Sequence, residues 1–130
     1  MSMNMKMDLE FSGRWLPLTT LLIPGDTAQA IATLPVPFNI NTLTFTLAVS
    51  VASLSSLEIW VKGDMAGAFF KIDIGNVMMS GRTDAGSDVT TTPLNESAIM
   101  AIDCSHWALV ELRAKSTGAS VITTTVGGKY

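Results

Sequence analysis

The chain has 130 residues, enough for one domain with a core of ordinary size and too few for two. Its composition, 48% apolar against 15% charged, excludes a disordered chain, and a net charge of -3 excludes a protein that binds nucleic acid by neutralising many phosphates. One Cys and one His supply neither a disulfide nor four zinc ligands, so no metal or cofactor is expected.

The chain opens with Met3, Met5, Met7, Leu9 and Phe11 alternating with Asn4, Lys6, Asp8 and Glu10, a period of two that gives a strand with one apolar and one charged face. Two readings stand. The segment closes the chain's own sheet as an edge strand whose charges discourage further pairing, or residues 1–14 form an arm that adds to a neighbouring subunit, where flexible Met side chains adapt to a foreign surface. Pro17 and Pro24 stiffen the exit and favour the arm, leaving 15–130 as a single sandwich domain. The same stretch lacks the continuous apolar core of a secretory signal. No apolar run reaches the length of a membrane helix, so no membrane span is expected, and the protein is expected to stay where it is made.

Pro17, Pro24, Pro35 and Pro37 confine the first forty residues to short edge strands and loops. From Thr42 to Val51 the pattern is strongest: Leu43, Phe45, Leu47, Val49 and Val51 alternate with Thr42, Thr44, Thr46, Ala48 and Ser50, which predicts a strand with the first set on the core face. Ser55 and Ser56 read as a turn, and Leu57–Lys62 as the next strand of a meander, with Leu57, Ile59 and Val61 inward and Glu58, Trp60 and Lys62 on the polar face. After turn signals at Gly63, Asp64 and Gly67, a third strand alternates through Phe70, Ile72 and Ile74 until Gly75 and Asn76.

Gly81–Asp88 has no periodicity and reads as an exposed loop, followed by a short strand over Ile99–Asp103. Trp107–Lys115 is rich in helix formers, but Glu111, Arg113 and Lys115 at strict spacing of two select a strand with Ala108, Val110, Leu112 and Ala114 inward. Ser116–Ala119 reads as a hairpin turn into the β-branched run Ser120–Val126, and Gly127–Tyr130 as a flexible end. Short strands in succession, with no helix, predict an all-β antiparallel β-sandwich of jelly-roll type.

Asp103, Ser105 and His106 have the residue types of a hydrolytic triad, yet neighbours on one strand end cannot place nucleophile, base and orienter in line, and no Gly-x-Ser-x-Gly elbow exists. They read as a turn, with Cys104 a small buried hydrophobe. Asp84 and Asp88 are too few carboxylates, at the wrong spacing, for calcium. Asn95-Glu96-Ser97 is a chance sequon, and Gly75–Gly81 lacks the spacing and Lys of a phosphate loop. No catalytic residue is assigned, and the protein is read as non-enzymatic. Trp60 and Trp107, both on polar strand faces, would stack a sugar if exposed and coplanar; with so few surface charges, burial under a neighbouring subunit or a loop is the preferred reading. Together with Met3, Met5, Met7, Leu9 and Phe11 they are the candidate partner contacts.

The stretch Asp103–Val126, in which Trp107 leads an alternating Val, Leu and Arg strand into Ser116-Thr117-Gly118 and a final Thr/Val strand, resembles the closing hairpin of small β-sandwich proteins from tailed bacteriophages. It implies a non-enzymatic structural protein of the virion, a capsid decoration or cement protein or a head-tail or tail-associated module. Such a protein is made in the host cytoplasm, and its partners are further copies of itself and other virion subunits. Carbohydrate-binding sandwiches share this hairpin, which keeps a carbohydrate-binding module as the alternative.

Overall fold

Alternating apolar and hydroxylated residues become strands throughout the computed structural model of the chain, which describes residues 18–23, 27–36, 40–72, 81–84, 89 and 93–129. The described residues contain no helix and form β1 (Leu18–Leu22), β2 (Gln29–Pro35), β3 (Thr42–Ser50), β4 (Leu54–Lys62), β5 (Phe70–Ile72), β6 (Gly81–Arg82), β7 (Ser97–Asp103), β8 (Leu109–Ser116) and β9 (Ser120–Lys129). Residues 1–17, and with them Met3, Met5, Met7, Leu9 and Phe11, lie outside the described residues.

Antiparallel pairing is nested: β1 joins β9, β2 joins β8, β3 joins β7 and β4 joins β5. The chain is thus one long hairpin, and rolling it up brings β3 against β9 and β4 against β8. Two sheets result, with orders β1-β9-β3-β7-β6 and β2-β8-β4-β5. This is a jelly-roll sandwich, with β6 a short addition to the edge of β7. Both proline-flanked strands, β1 and β2, fall at sheet edges, where a missing N–H breaks no ladder.

The inward positions of the period-two runs form the core. Leu43, Phe45 and Leu47 of β3 and Ile122 and Val126 of β9 come from one sheet. Leu57, Ile59 and Val61 of β4 and Val110, Leu112 and Ala114 of β8 come from the other. Thr124 also points inward on β9, and its Oγ1 has no hydrogen-bond partner.

Gly81–Asp88, read from the sequence as an exposed loop, opens with β6 and holds the Arg82 and Asp84 side chains out of solvent. Four further expectations from the sequence need correction. First, β3 and β4 are not neighbours in a meander, nor are β8 and β9 arms of a hairpin: each connection crosses from one sheet to the other. Periodicity tells which side chains face the core, but an arch between sheets preserves that facing as well as a hairpin does. Second, Val51 is not a core residue; it is 91% exposed at φ 82°, and the crossing runs through it, while Ser55 and Ser56 belong to β4 beside a bulge. Third, Trp107 precedes β8 and packs against the core cluster instead of lying on a polar strand face. Fourth, Gly127 and Gly128 continue β9 beside Thr44 and Leu43, because a strand between two neighbours keeps its ladder without side chains.

The two crossings are stitched together. Ser120 Oγ lies 2.7 and 2.6 Å from the carbonyl oxygens of Ser50 and Ala52, one on each side of Val51, and the Thr117 N–H donates to Ser53 O at 2.8 Å. Clamped at both flanks, Val51 is held in a left-handed conformation that a β-branched residue otherwise avoids.

Candidate functional site

Outward positions of the smaller sheet carry a dense network of charged and aromatic side chains. Register places Glu111 of β8 between Thr33 of β2 and Trp60 of β4, and Arg113 of β8 opposite Glu58 of β4. Thr33 Oγ1 donates to Glu111 Oε1 at 2.8 Å, and Arg113 Nε pairs with Glu111 Oε2. The Arg113 guanidinium lies 4.1 Å from the Trp60 ring centroid and 5.1 Å from that of Phe69, which precedes β5; Lys62 Nζ sits 4.7 Å from the same Phe69 ring. Trp60 Nε1 donates to Glu58 Oε1 at 3.0 Å, and Lys71 approaches Glu58 Oε2 at 3.7 Å.

This arrangement fixes Arg113 from three sides. Its Nε is committed to a carboxylate that is 8% exposed despite standing on an outer face, and its plane rests against two rings. A guanidinium held this way presents its terminal nitrogens to a planar acceptor such as a carboxylate with little ordering left to do. Trp, Phe and Arg side by side also have the composition of a protein-contact hot spot. Among the described residues of this face, four cations, Lys62, Lys71, Arg113 and Lys115, accompany two carboxylates, Glu58 and Glu111, an excess of positive charge on a chain that is negative as a whole.

No family model and no curated protein matches this sequence. A solved structure does resemble the fold. It is the SPBc2 prophage-derived protein YomS, similar at a TM-score of 0.51 and 14% identity over 88% of this chain and 96% of that one. At that identity the similarity speaks for the fold.

Of the two tryptophans singled out from sequence, Trp60 is in the network and Trp107 is not. The Trp107 ring meets His106 edge-on, 6.2 Å between centroids at 77°, and does not share a platform with Trp60. Asp103, Ser105 and His106 form a turn: the Ser105 N–H and hydroxyl both donate to Asp103 Oδ1, at 3.1 and 2.9 Å, and hold its carboxyl below the ordinary range. Asp84, weighed as a calcium ligand, is bonded to Arg82 Nε at 2.6 Å and to the Asn95 N–H at 2.9 Å, while Asp88 lies outside the described residues. No group of three or more His, Cys, Asp or Glu among the described residues is placed to hold a metal. Sequence reading missed the union of Trp60, Phe69 and Arg113. The outward positions of each strand were legible, but the lateral order of the strands was not.

Proposed function

We propose that this protein is a non-enzymatic structural component of a phage particle, a capsid decoration or head-tail associated protein that works through subunit contacts. The observation that carries the reading is the fold shared with a prophage-derived protein over almost the full length of both chains. The pre-ordered Trp60–Arg113 face supports it; the likeness of Asp103–Val126 to a closing hairpin does not, because β8 and β9 lie in different sheets. On this reading that face is a contact for another virion subunit, with Arg113 receiving an acceptor group and Trp60 and Phe69 supplying apolar area. The protein then resides in the virion, and residues 1–14 serve as an arm between subunits.

The second reading, a carbohydrate-binding module, draws on a half-buried Trp beside paired polar groups. It would have to use one face of a single ring, since Arg113 covers the other and Trp107 is elsewhere. Co-sedimentation of purified protein with particles stripped of it separates the two. The virion reading predicts saturable attachment, weakened at least tenfold by Arg113→Ala with no loss of folding. Attachment unaffected by the substitution, together with binding of a defined glycan by a monomer, would favour the carbohydrate module.

A further inference from the structure

The outer face of the larger sheet is the chemical opposite of the Trp60–Arg113 face. Its outward residues include Thr44, Thr46 and Ala48 on β3, Thr123 and Thr125 on β9, and Ala101 on β7, and among the described side chains of this face charge appears only at one end, at Asp103 opposite Thr42. Leu21 projects from the β1 edge, 62% exposed, in register with Val121 and Ser50, and Val51 follows at the same end. At the opposite edge, beside β6 and β7, the face carries a shallow hollow of about 320 Å3 lined by Thr46, Gly81, Ser97 and Ile99. Arg82 also borders it, but its side chain is only 2% exposed and is turned to Asp84 and the Pro93 carbonyl.

We infer that a second copy of this chain docks here, face to face. The inference deepens the reading above and rests on its requirement for subunit contacts. A partner covering this face must bring no charge of its own, because nothing central on it could pair with a buried ion. Two copies of an acidic chain approach with least repulsion through their uncharged faces, and among the described surfaces this is the one that fits the description. Projection and hollow lie at opposite edges of one face, as a two-fold contact requires: Leu21 of each copy is offered the hollow of the other. A strand spacing of about 4.8 Å and a rise of about 3.3 Å per residue give roughly 600 Å2 per copy, about 1,200 Å2 for the pair, the lower end of specific association. Such a dimer leaves both Trp60–Arg113 faces outward for other subunits.

Light scattering on the eluting full chain tests this, comparing wild type with Leu21→Lys and Thr46→Lys, and with Met65→Lys as a control that alters an equally exposed apolar residue in the β4–β5 turn. Wild type and the control should carry the mass of two chains and both face variants the mass of one, with unchanged circular dichroism. A wild type that stays monomeric, face variants that stay dimeric, or a control that dissociates would overturn the inference. Should a Lys variant misfold, Thr46→Cys labelled with pyrene replaces it: excimer emission that rises with concentration is expected, and its absence contradicts the contact. A monomer that still attaches to particles defeats this inference alone, whereas a dimer that does not attach defeats the virion reading alone.

Discussion

Cys104 shows how a residue type suggestive of chemistry is disarmed by its surroundings. Burial, and then the neighbouring Asp103 charge, push its thiol up to about 11, and its Sγ rests 3.7 Å from the Ile40 carbonyl. A thiol-reactive dye at mildly alkaline pH should leave the native protein unlabelled and modify it at once in denaturant, since the thiolate is the reactive form. Asp84 illustrates the opposite case. Its hydrogen bond from Arg82, followed by that from the Asn95 N–H, outweighs burial and holds the carboxyl below its ordinary 3.8. A depressed carboxyl contributes stability that is present above the unfolded value and is lost as pH falls through the folded one. Asp84→Asn should therefore cost about 2 kcal/mol in urea unfolding at neutral pH. The gap to wild type should close well below 3.8, where both chains lack the charge.

At the scale of elements, strain and an unpaired hydroxyl identify two positions where the native residue is not the most stabilising. Val51 is held at φ 82° by the Ser120 clamp, a conformation that glycine adopts without a Cβ penalty, so Val51→Gly should raise stability by about 1 kcal/mol in thermal or urea melts. Thr124 buries an Oγ1 without a partner among Leu47 and its neighbours, and Thr124→Val should gain about 1 kcal/mol in the same measurement. Both positions also show what was legible beforehand. The alternation through β3 and β8 identified Leu43, Phe45, Leu47, Val110 and Leu112 as core because each strand faces the core on one side. It could not say that Val51 ends the alternation, because a β-branched residue at positive φ depends on Ser120, far along the chain. Nor could it distinguish arch from hairpin at Ser116–Ser120, where the same turn chemistry serves both. The candidate site was half legible for the same reason. Trp60 stood out as an aromatic on a polar face, whereas Arg113 and Phe69 join it only through the β8-β4-β5 order.

Across the whole molecule, the two outer faces divide the surface by chemistry. Among the described residues, one carries the pinned guanidinium, the rings of Trp60 and Phe69 and an excess of cations, and the other is Thr-rich and uncharged except at Asp103. A rolled hairpin produces this division readily, since each strand turns one set of alternate residues to the core and the other outward, and the two sheets face opposite directions. On the reading proposed above, one face joins copies and the other joins the assembly. That reading makes the chain a phage product, and electron cryomicroscopy of purified particles is its most direct test. Jelly-roll density is expected on the particle, with the Trp60–Arg113 face against a neighbouring subunit. Particles that contain no such density, and no trace of the chain by mass spectrometry, would contradict it.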